Sequence, residues 1–354
     1  MLESFHIGLY RGLQDINFND LKDINVFVGQ NNSGKTSVLE AIILSGLFDD
    51  VDLLVDTLVS RYQIFSVDLF KRMFTLGKEA IICLESKLRN NGNKIHTHVQ
   101  YESAKRIKNY KDSTQVFEDF TLKFLYNACN DKEIKDKDDL NESFFIRFEE
   151  GEDGYQVILG SPKECKLDYK IPCQFVSFSR FDRSKRLLQT VDEVLDSNRR
   201  AELIDVLRIF DRDVDNFEVI SKNRVIKIFK KGYNEPLSLN DYGNGMYKAF
   251  FIATSALLCK NGIFLIDEIE AGIHSEALSQ FITRLLQVCK NNNVQLFLTT
   301  HSLEAIDVIL NNCQDSLNDT AFYHLMSNKK DTKLKRYSGE KLIQLRNEIG
   351  FDVR

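Results

Sequence analysis

The chain has 354 residues, 43% of them hydrophobic, with three prolines, seven cysteines and a formal net charge of -5. That length supports one large or two ordinary domains with a substantial core, and the composition excludes a largely disordered chain. The net acidity excludes a global attraction to nucleic acid but leaves room for a local basic patch. No apolar run approaches the length of a membrane span, and the opening Met1–His6 lacks the basic and apolar regions of a signal peptide. The cysteines include no C-x-x-C pair, so free thiols in a reducing cytoplasm are expected.

In chain order, the first 45 residues read as two short strands followed by a glycine loop and a helix. Ile24–Val28 is an apolar, β-branched strand, and Gly29–Thr36 reads Gly-Gln-Asn-Asn-Ser-Gly-Lys-Thr. This fits G-x-x-x-x-G-K-[ST] at every fixed position, and Thr36–Leu44 has helical spacing after it. In such a loop the backbone of Gly29, Asn31, Asn32, Ser33, Gly34, Lys35, Thr36 and Ser37 cradles phosphates at a positive helix end. Lys35 is expected to reach the β- and γ-phosphates, and the Thr36 hydroxyl to bind Mg²⁺.

Residues 47–76 are mostly helical in pattern. From 79 to 180 the period shortens: Ala80–Lys87 and Lys94–Tyr101 flank the turn Asn90–Asn93, and Ser143–Phe148 and Tyr155–Leu159 flank Glu149–Gly154. This predicts an antiparallel β-rich insertion, with the charged run Asp131–Asp139 as a solvated loop. Helical spacing returns over 183–211, Phe217–Ile220 and Val225–Phe229 form a strand pair, and 237–327 alternates helix and strand as a parallel sheet does.

Three distal segments carry chemistry. Ile263–Ile266 is a buried strand that ends in Asp267 and Glu268, where ligands gather in open α/β sheets. Asp267 is expected to hold Mg²⁺ through water, and Glu268 to orient and deprotonate an attacking water. Val294–Thr300 is a second such strand, ending in His301. That histidine either meets the γ-phosphate or the attacking water, or simply starts a helix capped by Ser302. His274, after the turn Glu270–Ile273, is left open between a subunit contact and a helix start. Finally, Pro236–Met246 contains Ser238, Gly243, Asn244 and Gly245 ahead of a helix, a second turn suited to an anion.

Phosphate loop, glycine turn, Asp-Glu strand and His strand, in this order, resemble the ABC-type ATPase head of the RecF, SMC and OLD kind. Phe18–Ile43 looks like that family's start, and Leu237–Ile306 like its signature, Walker B, D-loop and H-loop. The resemblance implies an α/β P-loop NTPase: an ABC-ATPase head with a largely parallel central sheet, helices on both faces and an antiparallel β-rich insertion. The expected division is a nucleotide-binding core of 1–46 and 212–354, with 47–211 as the insertion. The resemblance further implies ATP and Mg²⁺ as cofactors, and a homodimer or higher homo-oligomer. Each ATP would lie between Lys35 of one chain and Ser238, Gly243, Asn244 and Gly245 of the other.

There are departures. The signature reads Leu-Ser-Leu-Asn-Asp-Tyr-Gly-Asn-Gly instead of Leu-Ser-Gly-Gly-Gln, and Gln63 is a weak candidate for the Q-loop glutamine. No long heptad arm is present. Only 53 residues follow His301, too few for the Toprim nuclease domain of OLD proteins. The pattern therefore resembles stand-alone ATPase subunits of bacterial defence modules such as PARIS-like systems, which implies a separately encoded nuclease- or toxin-like effector as partner. Two other classes compete. One is a RecF-like clamp whose DNA affinity is set by ATP, with Arg61, Lys71, Arg72, Lys105, Arg106 and Lys108 as its basic face. The other is a self-contained nuclease, disfavoured by the missing Toprim segment. A transporter ATPase shares the same phosphate chemistry.

Overall fold

The computed structural model of the protein describes residues 1–45, 51–59, 74, 81–90, 92–110, 113–129, 141–151, 154–160, 171–177, 186–220, 225–327 and 332–353. Two compact units emerge. One comprises residues 1–21, 36–171 and 327–334, the other 22–35, 172–326 and 335–354.

The second unit is built on a six-stranded sheet. Its strands are β3 (Ile24–Val28), β9 (Cys173–Ser177), β13 (Ile263–Asp267), β14 (Gln295–Thr300), β15 (Thr320–Ser327) and β16 (Thr332–Ser338), in the order β16-β15-β3-β14-β13-β9. Every pairing from β15 to β9 is parallel. Parallel strands covered by crossover helices lose both faces to the core, which is why β13 and β14 are buried at every position and read as unbroken apolar runs. The helices are α3 (Arg186–Asp196), α4 (Arg200–Phe210), α5 (Asn244–Leu258), α6 (Ser275–Asn291), α7 (Leu303–Asn312) and α8 (Gly339–Ile349). Among them α5 is encased: Gly245 through Phe250 and Ile252 through Leu257 are buried. Its Phe250 meets Phe217 edge to face at 5.3 Å. Phe217 belongs to the small sheet of β10 (Val214–Ile220), β11 (Val225–Lys230) and β12 (Leu237–Ser238).

The first unit is a seven-stranded antiparallel sheet. It contains β1 (Leu2–Tyr10), β2 (Leu13–Phe18), β4 (Ile81–Leu88), β5 (Lys94–Tyr110), β6 (Ser113–Cys129), β7 (Asn141–Gly151) and β8 (Gly154–Gly160), ordered β2-β1-β4-β5-β6-β7-β8. The strict alternation of burial along β4 marks one face turned to a core and one to water. Both expected hairpins are present, closing at Lys87↔Lys94 and Gly151↔Gly154. The hairpin of β5 and β6 runs in register from Lys94↔Cys129 to Tyr110↔Ser113, well past the expected strand end at Tyr101. Its outer part mixes charged residues with Ile107, Val116 and Phe117, so no clean apolar period announces it. Cross-strand pairs hold it instead: Arg106 bridges Asp119 with two 2.9 Å bonds, and Lys123 donates to Glu102 at 2.9 Å.

The units divide at other places than the expected 46/47 and 211/212. β1 and β2 share the antiparallel sheet through β1's pairing with β4, and α3 and α4 join the core of the second unit. Of the helical stretch expected over 47–76, α2 (Val51–Val59) is described. Arg61, Gln63, Lys71, Arg72 and the Asp131–Asp139 run lie outside the described residues.

Within the first unit, α1 (Lys35–Leu44, from Thr36 onward in this unit) is tied to β1 by a buried polar group. Glu40 is fully buried; the Tyr10 hydroxyl donates to its Oε2 at 3.0 Å and the Arg11 guanidinium lies 3.1 Å away. Burial and this carboxylate push the Tyr10 phenol above its ordinary value. Removing one partner of a buried charge pair leaves the other uncompensated, so Glu40→Ala is expected to destabilise the unit by about 3 kcal/mol, whereas Glu102→Ala at an exposed pair should cost less than about 1 kcal/mol. Urea unfolding followed by tyrosine fluorescence and circular dichroism measures the difference.

Candidate active site

The phosphate loop leaves β3 at Val28 and enters α1 at Lys35. Its turn needs positive φ at three places: Gly29 (146°), Asn32 (63°) and Gly34 (99°). Gly29 is also crowded, since a Cβ there would stand 2.5 Å from the Leu325 carbonyl oxygen and 2.9 Å from Ser33 Oγ. Lys35 lies back across this loop, its Nζ donating to the carbonyls of Gly29 (2.7 Å) and Gln30 (2.8 Å). Burial lowers its proton affinity, and the carboxylates of Asp267, Glu268 and Glu270 oppose that shift. Ser33 Oγ is buried and makes no hydrogen bond among the described residues, which suits a loop whose polar groups serve a phosphate. α1 has no acidic residue in its first turn to compete with an anion. Thr36 is half-buried and Ser37 buried in the first turn of that helix.

Asp267 closes β13 as expected, 5% exposed. Two hydroxyls hold it: Thr299 Oγ1 donates to Oδ1 at 2.7 Å, and Ser177 Oγ donates to Oδ2 at 3.3 Å. Both come from the strands flanking β13, β14 on one side and β9 on the other. Asp267 supplies a hard oxygen donor of the kind Mg²⁺ takes, an ion that keeps several waters and otherwise binds substrate phosphates. Glu268 follows at φ 50°, a left-handed conformation that a glutamate adopts only when its surroundings impose it. They do: its N–H donates to Thr299 Oγ1 at 2.8 Å, and the next N–H, of Ile269, donates to the Thr299 carbonyl at 3.2 Å.

His301 stands immediately after β14, at the start of the turn into α7. Ser302 caps α7, accepting from the Ala305 N–H at 3.2 Å, while the His301 ring is 47% exposed beside the acidic turn. His274 is the N-terminal neighbour of α6 and makes no side-chain cap bond.

The glycine turn is preformed. Ser238 and Asp241 make a reciprocal capping box, a short 3-10 turn follows (Leu239–Asp241), and Gly243 begins α5 with no side chain to cap it and no acid in the first turn. Gly243 and Asn244 are exposed. Gly245 is buried, and a Cβ on it would come within 2.5 Å of the Gly272 carbonyl oxygen. The turn that carries Glu268 thus packs directly on the start of α5. Lys248, one turn further, is 1% exposed and its Nζ donates to the carbonyls of Glu268, Ile269 and Ala271. Desolvation lowers its pKa from 10.5 to about 8 against the pull of Glu270, Glu268 and Asp267.

With this geometry in view, the comparisons are specific. The family model described as "AAA domain, putative AbiEii toxin, Type IV TA system" matches residues 24–307, from β3 through α7, a span that contains Lys35, Asp267, Glu268 and His301. The chain belongs to this AAA-domain family. It has the P-loop ABC-type ATPase fold and is an ATPase. An ATP/GTP phosphatase of Helicobacter pylori is similar over 335 residues, 87% of each chain, at 23% identity. An uncharacterized protein of Methanocaldococcus jannaschii is 35% identical over 112 residues, 32% of this chain and 98% of that one. Among solved structures, an SMC head bound to the C-terminal winged-helix domain of ScpA aligns with 97% of this chain and 99% of its own, at 12% identity and a TM-score of 0.49. A Pyrococcus furiosus SMC head with extended coiled coil, bound to the C-terminal domain of ScpA, covers 99% of both chains at 11% identity and the same score.

Four residues of this AAA-domain site escape a reading of the sequence: Ser177, Lys248, Glu270 and Thr299. Ser177 and Thr299 reach Asp267 through strand register, Lys248 grips the turn from a helix, and Glu270 meets His301 from the turn itself.

Two outcomes test the arrangement. Gly29→Ala, forced into a left-handed φ against the Leu325 carbonyl, should weaken ATP binding by at least about tenfold, measured by calorimetry. Lys248 gives a pH signature. Below about pH 8 both folded and unfolded chains carry its proton and the full burial penalty applies. Between about 8 and 10.5 the folded chain sheds the proton first, so stability rises with pH, by on the order of 2–3 kcal/mol across the window. The difference in Tm between wild type and Lys248→Met should therefore move in favour of wild type over that range.

Proposed function

We propose that this AAA-domain protein is a Mg²⁺-dependent ATPase that closes as an ATP-sandwich dimer and gates a separately encoded nuclease- or toxin-like effector in antiphage defence. The observation that carries the reading is the juxtaposition in one unit of two anion-suited features. The phosphate loop is framed by Asp267 and Glu268, and the uncapped, exposed start of α5 is locked by Gly245 and Lys248 to the turn bearing Glu268. A turn so placed on a buried helix is suited to read a nucleotide held by a second copy. Its contact would be relayed to the base of its own site over two residues.

In the proposed cycle Lys35 and the loop amides bind the β- and γ-phosphates, and binding draws Nζ away from the Gly29 and Gln30 carbonyls. Thr36 and, through water, Asp267 would hold Mg²⁺, which would supply charge neutralisation on those phosphates. Glu268 accepts a proton from the attacking water, and His301 addresses the γ-phosphate or that water. Ser238, Gly243, Asn244 and Gly245 complete the site in trans. The Helicobacter pylori relative is named for both ATP and GTP, so GTP belongs in the same assays.

The alternative is a RecF-like protein whose DNA affinity is controlled by ATP, for repair or recombination. Of its candidate cations Lys105 is exposed, but Arg106 is spent on Asp119. That pairing favours effector gating. Among the described residues no helix is long and apolar enough to cross a membrane.

The test is the molar mass of Glu268→Gln by light scattering with and without ATP and Mg²⁺. Doubling of mass with ATP, together with a hydrolysis rate reduced by at least about a hundredfold, is the expected result. A variant that hydrolyses ATP at the normal rate removes Glu268 as the base, and a mass indifferent to ATP removes the sandwich. Lys35→Ala should bind no nucleotide and stay unchanged in mass.

A further inference from the structure

Glu270 and His301 form a pair that the hydrolysis scheme does not yet use. Glu270 lies two residues beyond Glu268 in the turn after β13, and His301 is the first residue beyond β14. The Glu270 Oε1 accepts from the His301 backbone N–H at 2.8 Å and stands 3.0 Å from the ring nitrogen Nδ1. The carboxylate oxygen thus stands beside Nδ1 at ion-pair distance, where an acceptor favours the ring form that carries its hydrogen on Nδ1. Nε2 is then the lone-pair nitrogen of the neutral ring and the second donor of the protonated one.

The burial of the two partners is unequal. The Glu270 side chain is 10% exposed and the His301 ring 47%, so the acid is inside and the ring is presented outward. The second carboxylate oxygen, Oε2, is buried and accepts no hydrogen bond among the described residues. A buried, half-satisfied anion is retained at a cost, and its compensating charge is close: Lys248 grips the carbonyls of Glu268, Ile269 and Ala271, on both sides of Glu270, and Glu270 leads the carboxylates that favour its protonated form. The Ile273 N–H donates to the Glu270 carbonyl at 3.2 Å, so the turn holds without the side chain. The carboxylate is therefore spare for the histidine.

We propose that Glu270 is a positioning residue for ATP hydrolysis. It fixes His301 as the Nδ1–H tautomer and holds the ring at the end of β14, so that Nε2 addresses the terminal phosphate or the attacking water. This rests on the assignment of His301 made under the proposed function.

The experiment combines a spectroscopic and a kinetic readout on the full chain. Long-range ¹H–¹⁵N correlation spectra of histidine-labelled protein report the tautomer directly. Wild type should show Nδ1–H at His301, identified by its loss in His301→Ala. Glu270→Ala should switch the ring to the Nε2–H form that solvated histidines favour. Glu270→Gln keeps the shape and an accepting oxygen, so it should preserve the Nδ1–H form and the fold if Glu270→Ala proves unstable. In steady-state kinetics Glu270→Ala should lower kcat about ten- to a hundredfold with KM for ATP little changed, and should add almost nothing in a His301→Ala background. A ring that stays Nδ1–H in Glu270→Ala, or a further equal loss of kcat in the double variant, overturns the proposal. If His301→Ala itself leaves kcat intact, the role given to His301 falls and this proposal with it. A loss in His301→Ala with none in Glu270→Ala removes Glu270 alone.

Discussion

One hydroxyl joins the two acids. Thr299 Oγ1, fully buried near the end of β14, donates to the Asp267 carboxylate and accepts from the Glu268 N–H. A hydroxyl can do both at once, and here the two bonds face in opposite chemical senses across adjacent residues. The donated bond fixes the carboxylate's position at the rim of an apolar sheet. The accepted bond pulls the following backbone into a left-handed turn that a glutamate would otherwise avoid. Neither Val nor Ala in place of Thr299 would keep both, and serine would keep the chemistry while losing the packing of the methyl. The spacing of the acids, the strain at Glu268 and the seat of the turn up to Ile273 all descend from the register that sets β14 beside β13.

That register explains what was legible in the sequence. Strands buried on both faces are unbroken apolar runs, so β3, β13 and β14 stand out, and polar residues at their carboxyl ends stand out as breaks in those runs. The glycine loop and the turn before α5 are legible for a related reason, because Gly29 and Gly245 stand where a Cβ would meet a backbone carbonyl at 2.5 Å. Lys35, Asp267, Glu268 and His301 follow from these local signals. Thr299, Ser177, Lys248 and Glu270 do not, because each acts across strands or from a helix face, and nothing within several residues of any of them marks the partner.

The other unit was harder to read for a different physical reason. The outer half of the β5–β6 hairpin is held by charge pairs and backbone bonds as well as by Phe117, so hydrophobic periodicity has little to report there. β1 and β2 precede the phosphate loop in sequence and for that reason look like part of the nucleotide core. Their partner, β4, is some seventy residues away in the chain and pulls them into the antiparallel sheet. A division drawn along the sequence cannot show such crossings, and the fold makes several of them, the first two at Leu21/Lys22 and Lys35/Thr36.

The position of β3 has a consequence for how the protein is made. β3 lies between β14 and β15, and the Leu325 carbonyl on β15 is the wall against which Gly29 turns. A ribosome delivers residues 24–36 first and the strands that flank them nearly three hundred residues later. Until the last tenth of the chain emerges, the phosphate loop has no neighbours to hold its shape, and this most distant of pairings is the slow kind to form. The walls of the loop are therefore assembled only once residues 295–327 have joined the sheet, long after the loop itself has been made.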